Sequence, residues 1–529
     1  MNSHRASLGL LAACVAFAPG PTWAVPSADL ILTNGHVYTA DPKSRWVEAV
    51  AIKGGKIVYV GSSAGAKARQ GRDTKAIDLG GRLLLPGLFD THSHVDGRAR
   101  ELVWANLGKQ FSPHTLESYR QIILDYRAKH PDLKQLRGRG FDGWILPAIG
   151  QSRKRQPRQL LDDIVSDVPA YITSWTGHQS WVNSKALELA GITRDTPDPS
   201  SDSTIGRDPV TGEPNGMLYE IAAQNLVIYK LPEPTLTVEQ ERAGLLSFQR
   251  EIAAPHGITG VLVPTARKAE ALNMAMQQLS DEGLLTLHYR AAQWADDLRG
   301  EEQVPELVAG RARYPGGRYF KLETIKIVAP WPQEQLNRTI AALDKQGFQV
   351  FVHQTGPTSD YASVLDAFEY TRKQNGDIGE SRHIITHNRA ESAPLAARYK
   401  ALGVRADADW HMALNWYLAP QALIKAEVPL TLSTDYPIRD ETLLPEIAEC
   451  VKHGIALEAL IDSVTIRGAE AQLIEKEAGS ITVGKVADLV VLEKDLFRVT
   501  PEEIATDKVL LTLFAGREIY RDPAFKDGE

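Results

Sequence analysis

Cysteine is almost absent: the 529 residues hold only Cys14 and Cys450. Removal of an N-terminal leader would leave Cys450 alone, which excludes an intramolecular disulfide framework. No sustained basic run occurs and the formal net charge is −7, so the electrostatic footprint of a nucleic-acid binder is missing. Past the N-terminal region, no segment offers the roughly 20 uninterrupted apolar residues that span a bilayer. Internal repeats and low-complexity tracts are lacking too. What remains, 43% hydrophobic and 24% charged, is the balance of a globular chain with more than one domain. A small-molecule substrate is its natural partner, and a homo-oligomer stays open.

The opening "MNSHRASLGLLAACVAFAPGPTWA" combines Arg5, a short apolar stretch and a small-residue cleavage signal, the pattern of a secretory signal peptide cut after Ala24. Export to the periplasm or the medium is the expectation. "LAAC", ending at Cys14, resembles a lipoprotein box, so a lipid-anchored alternative stands beside it.

After the leader, β-rich runs are punctuated by Asn34-Gly35 and Gly54-Gly55, both favoured in hairpins. The C-terminal "GSITVGKVADLVVLEKD" and "VLLTLFAGREIYRD" repeat the style. Neither piece alone buries a face, so residues 25–82 and 475–529 are expected to form one composite β-sandwich. Between them, eight strand-like runs alternate with helix-like segments: "LLLPGLFDTHSH", "GITGVLVP", "LTLHYRAA", "ETIKIVAP", "FQVFVHQTG", "HIITHN", "LGVRADADW" and "VPLTLSTDYP". The predicted fold is therefore α/β: a (β/α)8 TIM barrel over residues 83–97 and 236–474, with residues 98–235 inserted after strand 1 as a subdomain over the active site.

In a strand, side chains at i and i+2 share a face. Reading residues 83–97 as a strand places the imidazoles of His92 and His94 side by side, with Asp90 on the same face. Two neutral imidazoles make a poor core and a good pair of metal ligands. Further ionisable residues fall near the ends of predicted strands: Lys326 on the fourth, His353 on the fifth, His387 on the sixth and Asp435 on the eighth. Singly, each has an ordinary explanation; jointly, at the C-terminal mouth of one barrel, they describe a metal centre. His36, His114, His130, His256 and His453 are assigned to surface or packing roles, and Trp144, Trp175 and Trp181 are candidates for lining an apolar pocket.

With "LLLPGLFDTHSH", "GHQSWVNSKALELAGI", "FVHQTG", "ITHN", "LSTDYP" and "GSITVGKVADLVVL", nearly the whole mature chain resembles the amidohydrolase superfamily, most closely its YtcJ-like branch, the amidohydrolase-3 family of metal-dependent hydrolases. The resemblance implies that His92, His94 and Asp435 bind the more buried metal and His353 and His387 the more exposed one, with a carbamylated Lys326 bridging both. One or two zinc ions are the implied cofactor; an unmodified Lys326 would imply one. Where the branch usually shows Asp-Gly after the lysine, "KIVAP" follows; where its sixth strand ends Glu-His and its eighth reads Gly-Ser-Asp, this chain has Thr386-His387 and Ser433-Thr434-Asp435.

Zinc held by histidines brings the pKa of its water to about 7 and polarises a carbonyl. The expected activity is hydrolysis of a C–N amide-type bond (N-acyl, N-formyl or cyclic amide) by a metal-activated hydroxide, with Asp435 as the catalytic proton shuttle. His178 and His411 are the candidate substrate-binding residues. A lactonase or other ester hydrolase, or a non-catalytic metal-binding homologue, would use the same site.

Overall fold

A computed structural model describes residues 27–108, 112, 114–199, 203–231, 236–264, 269–409, 417–437 and 442–526. The expected leader, Cys14 and the expected cleavage site lie outside them. No helix among the described residues is long and apolar enough to cross a membrane.

The centre is an eight-stranded parallel sheet: β1 (Leu88–Asp90), β2 (Ile258–Val263), β3 (His288–Trp294), β4 (Phe320–Val328), β5 (Gln349–His353), β6 (Ile384–Thr386), β7 (Arg405–Asp409) and β8 (Leu430–Ser433). Each pairs in parallel with the next in order, so all eight C-terminal ends open on one mouth. This is the expected TIM barrel. The connecting helices follow the sequence signals closely. Thr237 caps the helix Val238–Ser247 through a capping box with Gln240, and helices Gln333–Lys345 and Thr358–Asn375 coincide with the apolar periodicity of their segments.

The strands of the two chain ends share a six-stranded sheet, in the order Arg517–Arg521, Val509–Phe514, Leu489–Leu492, Leu83–Pro86, His36–Tyr38, Trp46–Val47. A four-stranded sheet, Lys56–Gly61, Ala49–Lys53, Leu30–Thr33, Lys75–Asp78, faces it across a core containing Leu30, Leu32, Val50, Leu84, Leu489 and Val491. Residues 83–86 therefore belong to this sheet, and the barrel starts at Leu88 rather than at residue 83. The period of two explains the unbroken apolar run: Leu84 points into the sandwich while Leu83 and Leu85 join the barrel core, so both faces are covered. Gly87 makes the crossover, because a Cβ there would lie 2.1 Å from Thr259 Oγ1. Asn34-Gly35 also differs from the hairpin expected of it, since Leu30–Thr33 and His36–Tyr38 lie in different sheets. Gly54-Gly55 does join paired strands.

Asp488 of "GKVADLVVL" clamps sandwich to barrel. Its Oδ2 lies 2.8 Å from His288 Nε2 on β3, its Oδ1 accepts from the Ala515 amide at 2.8 Å, and its carbonyl accepts from Gly87 N at 2.8 Å. At this same N-terminal end of the barrel strands, the helix Ile466–Ala471 plugs the bottom. The carbonyls of Glu470, Ala471 and Gln472 accept from Arg382 Nη1 at 3.0 Å, Gln349 Nε2 at 2.9 Å and Arg290 Nη1 at 3.2 Å, which satisfies orphan groups at the helix C-terminus.

The insert builds its own six-stranded sheet, in the order Ile205–Arg207, Pro214–Tyr219, Gln179–Val182, Ala170–Ser174, Leu136–Phe141, Ala105–Asn106. It reaches the barrel beside the eighth strand: Tyr436 Oη donates to Glu101 at 3.1 Å, and Arg139 Nη1 lies 3.6 Å from the same carboxylate. The helix Asp96–Val103 packs on Val238–Ser247 so closely that a Cβ on Gly244 would fall 2.5 Å from Ala99 Cβ.

Glu241, on that second helix, is buried, and its Oε2 has no hydrogen-bond partner. Burial and the nearby Asp96 carboxylate push its pKa up to about 8, against a smaller opposing pull from Arg100. A raised carboxyl pKa favours the folded state fully below the ordinary carboxylate range and loses that stabilisation as pH rises through 8. Glu241→Gln should match the wild type at pH 5 and exceed it at pH 9, by on the order of 3 kcal/mol. Thermal melts across that range check this; a Tm difference that does not grow with pH contradicts it.

Candidate metal centre

Strand β1 ends at Asp90, so His92 and His94 stand in the segment that follows it rather than within the strand. They converge nonetheless: His92 Nε2 lies 3.3 Å and His94 Nε2 3.4 Å from Asp435 Oδ1. Asp435 follows β8 with φ +51°, and His387 follows β6 with φ +61°. Left-handed backbone is uncommon outside glycine, and asparagine, aspartate and histidine adopt it more readily than other residues; here it occurs at two candidate ligands. The His387 ring sits 4.8 Å from that of His92 and 4.1 Å from that of His353 at the end of β5. Lys326 on β4 is buried over the Phe351 ring, with Nζ 4.6 Å from its centroid, and is attracted by Asp435, Asp407 and Asp409. The structure thus brings together all six residues predicted as ligands.

Asp90 is directed elsewhere. Its Oδ2 accepts from Thr434 Oγ1 at 2.6 Å and its Oδ1 from the amides of Thr434 and His92 at 3.2 and 3.1 Å. Burial pushes its pKa up to about 7 against the pull of these donors. It joins β1 to the end of β8, where the Ser93–Tyr436 bridge and the His94 N to Tyr436 O bond of 2.8 Å complete the seam.

The donor chemistry fits a divalent cation. Burial drives His92 well below the ordinary histidine range, and enclosure lowers His94 to about 4; both rings are neutral at pH 7, the form that ligates. Burial likewise lowers Lys326 to about 7. His92 Nε2 and Lys326 Nζ are buried without a hydrogen bond, which is costly unless something binds there. Ligand atoms of His92, His94 and Asp435 lie within 4.8 Å of one another, as do those of His387, Asp409 and Asp435. Imidazoles with carboxylates match the preference of zinc.

Asp409 is not among the residues expected from the sequence. Its Oδ2 lies 2.9 Å from His387 Nδ1, the outer partner that leaves Nε2 to face the centre. The signal was available: "RADAD" puts two acidic residues at i and i+2 in a buried strand, the same pattern that drew attention to His92 and His94.

Of the two predicted substrate-binding residues, one is described, and it stands apart from the cluster. His178, about half-exposed on the insert, pairs with Glu220 Oε2 at 2.8 Å. His411 lies outside the described residues. Trp181 is core, fully buried with its indole donating to Pro157 O at 2.7 Å and packed with Tyr119 and Phe141, and Trp144 is largely exposed. His130 and His256 bond the Tyr126 and Ile252 carbonyls of their own helical segments.

Residues 75–520 match the family described as "Amidohydrolase family". The chain is 24% identical over 557 residues to the N-substituted formamide deformylase of Arthrobacter pascens, covering 92% of this chain and 97% of that one. It is 25% identical over 540 residues to the putative amidohydrolase YtcJ of Bacillus subtilis, covering 92% and 98%. Among solved structures, an uncharacterized metal-dependent hydrolase from Pyrococcus horikoshii superposes with a TM-score of 0.64 at 21% identity, over 89% of this chain and 99% of that one; at that identity the likeness concerns the fold.

If these side chains bind a cation together, replacing His92 and His94 by alanine should remove retained metal without unfolding the barrel. Metal content after dialysis, by mass spectrometry, should fall to background. The loss of affinity should exceed the roughly 10–100-fold attached to losing a supporting partner. Unchanged metal content in the folded double variant contradicts the assignment.

Proposed function

Because the chain belongs to the amidohydrolase family, we propose that it is an exported metal-dependent hydrolase cleaving a C–N amide-type bond of a small molecule: an N-acyl, N-formyl or cyclic amide. The observation that carries this reading is the meeting of His92 Nε2 and His94 Nε2 on Asp435 Oδ1 at the barrel mouth, where TIM-barrel enzymes place their chemistry. The relative named as a formamide deformylase supports the choice of bond. The leader-like residues 1–24 support export.

His92, His94 and Asp435 would hold one zinc ion, with His353 and His387 available to a second and Lys326, once carbamylated, between them. Such a cation, when bound, acidifies a water to near neutrality and polarises the carbonyl under attack. Lys326 is suited to modification, because burial leaves much of its amine neutral at pH 7; the nitrogen adds to carbon dioxide and releases a proton. His387 is held by Asp409, so its ring keeps one orientation through turnover. Asp435 is nearly buried yet lies at the rim, with its Oδ1 toward both histidines. Its carboxylate takes the proton of the attacking water and delivers it to the leaving nitrogen as the C–N bond breaks. Without that delivery the leaving group would depart as an amide anion.

Asp435→Asn should lower kcat about 10²–10⁴-fold at matched metal occupancy. Chelation should abolish turnover and zinc restore it. The assay is a panel of N-formyl and N-acyl amines, cyclic amides and lactones on the metal-loaded enzyme. Near-normal kcat in the variant removes Asp435 from proton transfer. Turnover of lactones alone makes the enzyme an ester hydrolase, and metal binding with no turnover makes it a binding homologue.

A further inference from the structure

Asp407, in the middle of β7, is fully buried, and four hydroxyls meet its carboxylate. Oδ1 accepts from Thr91 Oγ1 at 2.6 Å and Thr431 Oγ1 at 2.8 Å; Oδ2 accepts from Thr386 Oγ1 at 2.7 Å and Ser433 Oγ at 2.8 Å. A carboxylate offers about four lone-pair sites and no proton, while a hydroxyl has a single proton to donate. Thr431 Oγ1 also lies 3.5 Å from the Ala406 carbonyl, but the Thr386 proton is committed to Asp407 Oδ2. Thr386 Oγ1 also lies 2.9 Å from His92 Nδ1, and with its proton engaged it has only a lone pair to offer there. Nδ1 must carry the imidazole proton. Nε2 is left bare on the side where Asp435 Oδ1 and His94 stand, and two acceptors 3.3 Å apart are a juxtaposition that a cation reconciles.

We propose that Thr386, anchored by Asp407, is a positioning residue that locks His92 in its Nδ1–H tautomer and so presents Nε2 as a metal ligand. The word ligand rests on the metal reading above, whereas the tautomer is a property of the metal-free protein. Thr386 stands where the family resemblance leads one to expect glutamate. A glutamate would accept from His92 through its own charge; a threonine acts only because another group takes its proton. The chain supplies that group on the neighbouring strand and ties it, through Thr91, Thr431 and Ser433, to the first and eighth segments that carry His92, His94 and Asp435. One buried carboxylate thus sets the protonation of a ring it does not touch directly, since His92 Nδ1 lies 3.9 Å from Asp407 Oδ2.

The experiment compares the wild type with Thr386→Val, which removes the hydroxyl at nearly constant shape, and Thr386→Ser, which restores it; Thr386→Ala serves if valine is not accommodated. Full-length metal-free protein labelled with ¹⁵N-histidine reports the tautomer, with His92 assigned by its loss in His92→Asn. The wild type and the serine variant should show a protonated Nδ1 and an unprotonated Nε2. The valine variant should show a mixture or the reverse. Zinc affinity, by competition with a chelator, should weaken about 10–100-fold in the valine variant and stay within about threefold in the serine variant. An unchanged ¹⁵N pattern in the valine variant overturns the lock, even if zinc binds normally. A tautomer that switches in a protein binding no zinc upholds the lock and overturns the metal reading alone.

Discussion

The joint between β8 and β1 is the constraint on which the centre depends. Elsewhere around the barrel, neighbouring strands are held by backbone ladders. At this joint the described link is mostly side-chain: buried Asp90 grips the Thr434 hydroxyl and amide, Asp407 takes hydroxyls from Thr91 on one side and Thr431 and Ser433 on the other, and a short bridge joins Ser93 to Tyr436. His92 and His94 lie on one side and Asp435 on the other. Closing the barrel and assembling the three groups are therefore one event, which explains why a buried acid next to the ligands is turned away from them.

Behind that joint, polar groups are graded by depth. Asp407 and its hydroxyls form a saturated network in the barrel interior, where an unsatisfied donor would be costly. Asp409, two residues on, supports His387. Nearest the mouth stand the groups whose lone pairs are left for a cation. The left-handed backbone at His387 and Asp435 fits the same gradation: these segments stop pairing as strands and turn their side chains across the opening. The insert reaches this region through Glu101, which takes the Tyr436 hydroxyl next to Asp435, so the insert and the rim share a contact.

Much of this was legible residue by residue. All eight apolar runs became barrel strands, because each carries β-branched or alternating apolar residues bounded by glycine, proline or charged stretches. The six ligand candidates could be collected because strand ends are readable and histidine, lysine and aspartate are conspicuous in apolar surroundings. Less legible were the places where one pattern serves two structures. Residues 83–90 look like one strand, yet Gly87 divides them between two sheets, since an apolar run shows that both faces are buried without showing against what. Asn34-Gly35 offers the backbone freedom of a hairpin and is used to pass between sheets. Asp407 and Asp409 sit in a run read as a strand, but their roles are not local, because their partners Thr386 and His387 lie 21 and 22 residues away in sequence.

The sequence by itself determined the kinds of element, their order, and the presence of imidazoles and carboxylates at the ends of parallel strands, because periodicity and side-chain chemistry are local properties. Tertiary structure alone decided which atom of each group faces the centre: that Asp90 closes the joint, that Asp409 braces His387, and that Thr386 passes the influence of Asp407 to His92. Hydrogen bonds extend about 3 Å and have direction, so they are specified only when distant strands have already been set side by side.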